Sequence, residues 1–529
     1  MDAGEAPYSL VAARSLGSAG HQVVLGFPYG SHTFDAYSKY CRGYFFYPDP
    51  SYAPEDFQRH LRSLAARFDF IIPTMEKTQL ATSMIKGDLE DAGAIVPIPE
   101  YETYCKAVDK DKILEIARES GVTVPKTEML TEEPEFQKVV KEFGFPFIMK
   151  VSTEMNIPPS ERHYIIREES EEDFSHKFNK LLRLARPVIL QQYVEGVGVG
   201  ASFIFSENHR PIAAFGHKRI LEQFPEGGPS AIAETYFNPD ALKQGLRLLK
   251  ALKWKGVAMT EYKMNSDGTM YFMEMNPRFW GTLPLAIASG VDFPRLLVEH
   301  YRSEDGRPRV VYRKRMFVSV QGIGIRMLDS LHSTKGPMIP PGLFRGIIGG
   351  GFPVIEELLK RDIRPLLVRM MHHARAYRNR NRVSRIGDVF LGPAIKYERL
   401  AEYGIKAVIN LAEELPPSTN PGDNSTKFLY YPIKDDSAPE TESLISLIMR
   451  TTEFAKEGRV YVHCRLGRGR SPMVVIGYLI SKGMGINQAY ATVYDARPFA
   501  HLNLIQKGAV YKLYRHYLDE ASAGSVDSA

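Results

Sequence analysis

Cysteine is scarce in this 529-residue chain, and long apolar runs are missing from it. Cys41, Cys105 and Cys464 are an odd set without framework spacing, which argues against a disulfide-stapled secreted domain. No apolar stretch reaches the roughly 18 residues of a membrane-spanning helix, and the N-terminus lacks a charged-then-apolar secretory pattern. We therefore expect a protein of the reducing cytoplasm, in which any thiol chemistry uses a free cysteine.

Length and charge distribution indicate several domains. A chain of 529 residues exceeds what one hydrophobic core usually serves, and its 44% apolar and 24% charged residues are ordinary for globular protein. The formal net charge is +5, but residues 307–385 hold 14 Arg and 3 Lys against 4 acidic residues, an excess of +13. The remaining chain sums to −8, so positive charge is concentrated in one intermediate stretch.

Hydrophobic patterning predicts a multidomain α/β protein. Short apolar runs alternate with helix-like segments in the first hundred residues, as in parallel α/β units. No strand precedes the first loop and helix. We interpret this absence as a translation start site assigned some residues too late, or as a natural truncation. The predicted domains are an N-terminal α/β domain (1–107), an α+β domain with a mixed sheet (108–305), a basic linker (306–385), a C-terminal α/β domain (386–520) and a tail (521–529).

The stretch RVYVHCRLGRGRSPMVVIGYLI, residues 459–480, crowds three arginines around one cysteine. It reads as a buried strand, a tight loop, and a helix with Ser-Pro in its first turn. Such a loop points backbone N–H groups and the positive helix end inward, which makes a cradle for phosphate. A thiol at its base, Cys464, should lose its proton readily. Arg470 can grip two phosphoryl oxygens with its planar fork.

The spacing His-Cys-x5-Arg-Ser resembles the signature of cysteine-dependent phosphatases, in particular the dual-specificity class, over about residues 386–518. The resemblance implies that Cys464 is the nucleophile that forms a phosphocysteine. It implies that Arg470 binds the phosphoryl group, and that His463 and Ser471 tune the thiolate. No cofactor is implied for this part.

Acid catalysis and substrate choice rest on neighbouring residues. The stretch YYPIKDDSAP supplies acids where the family has its general acid; the spacing favours Asp435, and Asp436 is the alternative. Arg465 and Arg468 add charge to the loop, which leans toward a non-protein phosphoester with a second phosphate or a neighbouring acid. The predicted phosphate-binding residues are Arg465, Leu466, Gly467, Arg468 and Gly469.

A second group of chemistry-bearing residues lies between 109 and 281. In MEMNPRFWG, Glu274, Asn276 and Arg278 occupy alternate positions, which on a strand share one face. GVAMTEYKM adds Glu261 on a strand that we expect to be adjacent. Two carboxylates and an amide oxygen can hold Mg²⁺ and leave room for phosphate oxygens and water.

This arrangement resembles the ATP-grasp superfamily, most closely the carbamoyl-phosphate-synthase-like carboxylate–amine ligases, from about residue 2 to 305. The resemblance implies an N-terminal α/β unit and two α+β lobes, ATP and Mg²⁺ as cofactors, and an acyl phosphate that an amine attacks. The residues implied are Lys110 and Lys150 for the ATP phosphates; Gln192, Tyr193 and Glu195 for adenine and ribose; Glu261, Glu274 and Asn276 for Mg²⁺; Arg278 for the acyl phosphate; and His217, Lys218 and Arg219 for phosphate or the acceptor carboxylate.

Several features depart from that family, among them the GVGVGAS stretch, which lacks the acid often found after the hinge. Lys150 is followed by Val151 instead of proline, the phosphate-covering flap STEMNIPPSERH has no glycine, and Gln192 stands where glutamate is commoner. The Mg²⁺ and Arg278 positions are intact, so we expect ATP binding. Turnover as a ligase and a role limited to binding or scaffolding both stay open.

The basic linker contains FPVIEELLKRDIRPLLVRMMHHARAYRNRNR, which predicts an amphipathic helix interrupted before Pro365. It is either a solvated connector or a docking face for anionic lipid or an acidic partner. Nucleic acid is not expected, because no reading motif accompanies the charge.

Taken together, the motifs predict a bifunctional cytoplasmic enzyme, with peripheral membrane attachment as an option. An ATP-dependent ligase of a small-molecule carboxylate and amine is joined to a phosphoester hydrolase, and the fusion suggests one biosynthetic route. The alternative is a protein or phospholipid phosphatase whose ATP-grasp region is a nucleotide or metabolite sensor or a scaffold.

Overall fold

The computed structural model divides the chain into two compact units. One comprises residues 1–25, 38–44 and 58–363, and the other comprises 26–37, 45–57 and 364–529. The domain boundaries given above stay a prediction. Among the described residues, no helix is both long and apolar enough to cross a membrane. The structure describes residues 1–4, 6–153, 157, 161–224, 227–302, 312–332, 354–355, 361–416 and 426–526.

The first 120 residues are mostly helical. The first helix begins at Pro7, whose missing N–H falls where a helix has no partner for one. The apolar runs FDFIIPT and GAIVPIP meet in one parallel bridge, between Phe70 and Ile95. The elements are α1 (Pro7–Ser18), β1 (Val23–Pro28), a 3₁₀ turn (Phe34–Tyr37), β2 (Cys41–Tyr47), α2 (Pro54–Leu64), a 3₁₀ turn (Ala65–Arg67), α3 (Glu76–Ser83), α4 (Lys86–Asp91), α5 (Tyr101–Val108) and α6 (Lys110–Glu119).

A four-stranded antiparallel sheet follows in the first unit. Phe147, Phe174 and Phe178 are fully buried in its core. The elements are β3 (Thr127–Leu130), α7 (Phe136–Phe143), β4 (Phe147–Val151), β5 (His163–Ile166), α8 (Glu171–Leu184) and β6 (Val188–Gln192), with strand order β3-β6-β4-β5. Ser170 caps α8, because its Oγ accepts a hydrogen bond from the Asp173 N–H at 3.1 Å.

The second sheet of the first unit has seven strands. Its only parallel pair among the described residues is β12 with β13, so the sheet is mixed, as expected. The elements are β7 (Val197–Phe205), β8 (Pro211–Phe224), β9 (Gly227–Thr235), α9 (Pro239–Ala251), β10 (Gly256–Met264), β11 (Met270–Asn276), α10 (Leu283–Ala288), α11 (Phe293–Arg302), β12 (Met316–Val318), α12 (Val320–His332) and β13 (Val354–Ile355); the strand order is β11-β10-β7-β8-β9-β12-β13.

The second unit has a five-stranded sheet that is parallel except for its first pair. Its central strand, Arg459–His463, ends just before Cys464, and the carboxyl ends of parallel strands are where such folds bind ligands. The elements are α13 (Arg364–Asn379), β14 (Ser384–Ile386), β15 (Val389–Gly392), a 3₁₀ helix (Tyr397–Tyr403), β16 (Ile405–Ala412), β17 (Lys427–Ile433), α14 (Thr441–Glu457), β18 (Arg459–His463), α15 (Arg470–Ser481), α16 (Ile486–Ala496) and α17 (Leu504–Val526); the strand order is β14-β15-β18-β16-β17.

Early residues complete the core of the second unit. Ala53 belongs to the hydrophobic cluster built by β15, β16, β18 and α15. Tyr29 stacks on Tyr511 with ring centroids 6.0 Å apart, and the Tyr494 hydroxyl donates to the Gly30 carbonyl at 3.1 Å. Gly30 has φ +75°, and a Cβ there would lie 2.7 Å from the Tyr490 ring. Residues 386–520 therefore do not complete this core by themselves.

Candidate active sites

Cys464 lies at the base of the loop between β18 and α15. It is 2% exposed, and its Sγ is 3.5 Å from the Ser471 Oγ in the first turn of α15. Gly467 has φ +63°, and a Cβ there would meet the Gly392 backbone at 2.4 Å. Glycine is therefore required at this position, where the loop packs against the backbone at the end of β15.

Arg470 is buried and held by two carboxylates. Its Nη1 and Nη2 donate to the two carboxylate oxygens of Glu414 at 2.7 and 2.5 Å, and Nη2 lies 3.0 Å from an Asp435 oxygen. Burial alone would lower the pKa of Arg470, but Glu414, Cys464 and Asp435 outweigh it and raise that pKa. Arg470 in turn lowers the pKa of Glu414. The guanidinium is thus fixed in position as a permanent cation.

Sequence reasoning missed Glu414. It follows β16, which pairs with the cysteine-bearing strand so that Asn410 lies opposite His463. An acidic pair in NLAEELPP, directly after a strand of a parallel sheet, was the available signal. That signal required knowing which strands are neighbours.

The two candidate acids differ in their surroundings. Asp435 is 67% exposed and makes the ion pair with Arg470. Asp436 has φ +57°, and its carbonyl accepts a hydrogen bond from the Asn503 Nδ2 at 2.7 Å. The structure thus brings Asp435 to the loop and ties Asp436 to another segment; the acid role of Asp435 stays a prediction.

The other predicted loop residues separate by exposure. Arg465, Leu466 and Arg468 are exposed, Gly469 is half-buried, and Gly467 is buried. His463 is also buried, and burial lowers its pKa to about 4. Its imidazole is therefore neutral at pH 7 and adds no charge beside Cys464.

Arg497 is a second residue that sequence reasoning missed. Its guanidinium is fully buried and donates to the carbonyls of Leu466 and Gly467 in the loop. It also donates to the carbonyls of Arg380 and Arg382, at 3.0 and 2.8 Å, just after α13. Binding these loop carbonyls holds the loop in one conformation. The sequence offered only an Arg-Pro turn as a signal.

In the first unit, one face of the seven-stranded sheet gathers the ligase-type residues. His217 on β8, Gly200 on β7, Glu261 on β10 and Glu274 on β11 are successive cross-strand partners. A Cβ on Gly200 would lie 2.1 Å from the His217 ring. In the next row, a Cβ on Gly198 would lie 2.7 Å from the Arg219 side chain. Because these two glycines have no side chain, the His217 and Arg219 side chains can lie across β7.

The predicted magnesium ligands lie together on this face. Asn276 Nδ2 donates to one Glu261 oxygen at 3.1 Å, and Arg219 forms an ion pair with the other. Burial raises the pKa of Glu261, against the opposing effect of Arg219. Two carboxylates and an amide are donors that suit Mg²⁺, so the residues fit the ion. In the described part of the chain, no group of three or more His, Cys, Asp or Glu could hold a metal.

Strand alternation separates the predicted trio His217, Lys218 and Arg219. Burial lowers the pKa of His217 to about 3, and its Nε2 lies 3.3 Å from the Thr282 Oγ1. Lys218 points to the opposite face, where it pairs with Glu234 at 2.9 Å. The three residues therefore do not meet in one site.

The remaining predicted contacts are spread over the first unit. Arg278 lies over the Tyr8 ring at 5.2 Å. Lys150 Nζ donates to the Gln191 Oε1 at 2.9 Å, and the flap at 152–163 lies partly outside the described residues. The other positions are Lys110 at the first turn of α6, Gln192 accepting from the Lys126 N–H at 3.2 Å, Tyr193 under the Arg167 guanidinium at 5.7 Å, and Glu195, which is exposed.

The C-terminal fold and its loop define a cysteine-dependent phosphatase, and the sheet face of the first unit is of the ATP-grasp type. The family model "Dual specificity phosphatase, catalytic domain" matches residues 389–516. Dual specificity protein phosphatase 1 of Arabidopsis thaliana is 32% identical over 160 residues, which cover 29% of this chain and 79% of that protein. The chain belongs to the dual specificity phosphatase family.

Other matches concern both regions. The family model "ATP-grasp in the biosynthetic pathway with Ter operon" matches residues 206–322. D-alanine–D-alanine ligase of Nitrosospira multiformis is 25% identical over 207 residues, 36% of this chain and 65% of the ligase. Phosphatidylglycerophosphate phosphatase PTPMT1 of Arabidopsis thaliana is 34% identical over 122 residues, 22% of this chain and 36% of that protein. The chain thus spans less than two thirds of these two relatives.

These matches confirm three predictions: the resemblance to both families, the multidomain α/β fold class, and an enzyme in which a phosphatase domain is fused to an ATP-grasp domain.

Proposed function

We propose that the C-terminal region hydrolyses a phosphomonoester through a phosphocysteine. Cys464 Sγ bonds to phosphorus while the bond to the leaving oxygen breaks, and Asp435 protonates that oxygen. Water then attacks phosphorus, the sulfur–phosphorus bond breaks, and Asp435 takes the proton. The observation that carries this proposal is the buried Cys464 sulfur 3.5 Å from the Ser471 hydroxyl, which can hydrogen-bond the departing thiolate.

For the first unit, the proposed reaction joins a carboxylate to an amine at the expense of ATP. The substrate carboxylate attacks the γ-phosphorus of ATP, and the bond to the bridging oxygen breaks so that ADP leaves. The amine nitrogen then attacks the acyl carbon, and phosphate leaves as the amine loses a proton to it. Glu261, Glu274 and Asn276 would hold Mg²⁺, which supplies charge neutralisation on phosphate oxygens. Lys110 and Lys150 would contact ATP phosphates, and Arg278 the acyl phosphate.

Both reactions would belong to one biosynthetic route, since covalent fusion raises the local concentration of one site near the other. The test incubates the full chain with ATP, Mg²⁺ and a panel of phosphorylated carboxylates and amines. We expect ADP, a new amide and free phosphate from the same substrate. Release of phosphate without ADP or amide would contradict the shared route.

The phosphoester is proposed to be a non-protein molecule with a second anionic group. Arg465 and Arg468 are exposed at the loop, and they add charge beyond the buried Arg470. A relative at 34% identity is named for a phospholipid substrate, phosphatidylglycerophosphate. Faster turnover of phosphatidylglycerophosphate than of a phosphotyrosyl peptide is expected; the reverse order would contradict this substrate class.

The second candidate is a phosphatase acting at an anionic membrane surface, with the ATP-grasp region as sensor or scaffold. The observation that favours it is α13, where Met370 and Met371 are 58% and 71% exposed beside exposed arginines. Sedimentation with anionic vesicles should then show salt-sensitive binding that is lost when Arg375, Arg378, Arg380 and Arg382 are neutralised. Binding that ignores salt would remove this candidate.

A further inference from the structure

The proposed general acid lies in an exposed turn between β17 and α14, residues 434–437, which we call the acid turn. The Ser437 N–H closes the turn by donating to the Lys434 carbonyl at 3.2 Å. Asp435 and Asp436 are its two central residues, and Asp436 has φ +57°, a conformation uncommon outside glycine. The position of the Asp435 carboxylate therefore depends on the contacts that hold the turn.

The start of α17 carries a capping box. The Asn503 Oδ1 accepts a hydrogen bond from the Gln506 N–H at 2.9 Å, and the Gln506 Oε1 accepts one from the Asn503 N–H at 3.2 Å. This reciprocal pair satisfies two N–H groups at the helix end. It also fixes both side-chain amides, because each oxygen is turned toward the capping box and each NH₂ group remains to donate elsewhere.

Both of these NH₂ groups donate to the acid turn. Asn503 Nδ2 donates to the Asp436 carbonyl at 2.7 Å and lies 3.4 Å from an oxygen of the Asp436 carboxylate. Gln506 Nε2 donates to the Ser437 carbonyl at 3.3 Å. The capping box thus binds the two residues that follow Asp435. A helix cap by itself requires neither of these bonds.

The same segment contacts the phosphate loop, residues 464–470. Gln506 is 2% exposed, and a Cβ on Gly469 would lie 2.6 Å from the Gln506 Oε1. The His501 N–H donates to the Arg468 carbonyl at 2.7 Å. One short segment therefore holds both the acid turn and the phosphate loop.

We propose that Asn503 and Gln506 are positioning residues of the phosphatase, which hold the acid turn so that the Asp435 carboxylate stays at the phosphate loop. Both act through Asp435, which lies 3.0 Å from the Arg470 Nη2. General acid catalysis depends on such placement, because the proton donor must lie within hydrogen-bond reach of the leaving oxygen. The inference rests on the proposed phosphatase reaction and adds the residues that control its acid.

Kinetics with a series of substituted phenyl phosphates test this placement. Asn503→Ser keeps an oxygen that can cap α17, but it has no NH₂ group to bind the acid turn. We expect turnover to slow about tenfold for leaving groups of high pKa and little for good ones, since only poor leaving groups need the proton. Unchanged turnover of poor leaving groups, or an equal loss for all leaving groups, would overturn the proposal.

Two further variants separate the acid turn from the helix cap. Asn503→Asp also keeps the cap and lacks the NH₂ group, so it should show the same leaving-group dependence, and it decides if Asn503→Ser does not fold. The matched control is Asn238→Ser in the other unit, where the Asn238 Oδ1 caps α9 by accepting from the Ala241 N–H at 2.9 Å. It should leave the phosphatase kinetics unchanged. The same slowing in Asn238→Ser would contradict a role specific to Asn503.

A double variant separates this inference from the proposed reaction. Because Asn503 is proposed to act through Asp435, Asn503→Ser should cause no further slowing in Asp435→Ala. A full additional loss would overturn the inference. Slow turnover of poor leaving groups by Asp435→Ala, with normal turnover by Asn503→Ser, would reject the positioning role and keep Asp435 as the acid. An Asp435→Ala variant without leaving-group dependence would contradict the proposed acid itself, and the positioning role with it.

Discussion

The phosphate loop and the ATP-grasp sheet face both pair an arginine with carboxylate, but they are built differently. In the loop, Cys464, Arg470 and Ser471 lie within eight residues of sequence, and one strand–loop–helix positions them. On the sheet face, Arg219 and Glu261 come from strands separated by a third strand. A contiguous motif fixes its own geometry, whereas a face spread over strands depends on register.

The largest effect is expected from removing the sulfur of the loop. Cys464→Ser should lower kcat for an aryl phosphate by about 10⁴-fold or more, because a hydroxyl is a far weaker nucleophile than a thiolate. Steady-state phosphate release measures this. The control is Cys105→Ser, a free cysteine of the other unit, which should behave as the unaltered protein. Comparable activity in Cys464→Ser would contradict the phosphatase assignment.

Next in size is the loss of the proposed general acid. Asp435→Ala should slow turnover by about 10²-fold or more for leaving groups of high pKa and little for good ones, because only poor leaving groups need the proton. Kinetics with a series of substituted phenyl phosphates measure the difference. Asp436→Ala is the matched control. If Asp435→Ala left turnover unchanged while Asp436→Ala slowed it, Asp436 and not Asp435 would be the general acid.

A smaller, pH-dependent effect is expected at the carboxylate that holds Arg470. Arg470 lowers the pKa of Glu414, so the pair contributes stability fully above pH 4.5 and loses it as pH falls through the lowered pKa. Glu414→Gln should reduce the free energy of unfolding by about 2 kcal/mol at pH 7. Urea unfolding at pH 7 and at successively lower pH measures it. A difference that does not shrink at any lower pH would exclude the charge pair as its cause.

The smallest effect is expected at Gly200, which leaves room for the His217 ring on the sheet face. Gly200→Ala should cost about 1–2 kcal/mol of unfolding free energy, because the new methyl meets the buried His217 ring. Gly281→Ala, where a Cβ meets nothing within 4 Å, is the matched control and should change little. Thermal unfolding of both variants measures it, and equal stability would mean that the ring moves aside freely.

Sequence reasoning reached the loop and both families because their residues are local or alternate along one strand. Glu414 and Arg497 were not predicted, because each hydrogen-bonds to the loop region from a segment that is distant in sequence. Lys218 was placed with its neighbours, although strand alternation turns it away. The contribution of Ala53 and Tyr29 to the core of the second unit depends on tertiary packing and had no sequence signal.

The most direct test of the central claim asks whether orthovanadate protects Cys464 from alkylation. Orthovanadate is a phosphate analogue that fits a thiolate cradle. Mass spectrometry would follow carbamidomethylation of Cys464 and Cys105 in the same samples at pH 7. The account predicts rapid labelling of Cys464 that vanadate blocks, with Cys105 unaffected by vanadate. Labelling of Cys464 at the same rate with and without vanadate would contradict the account.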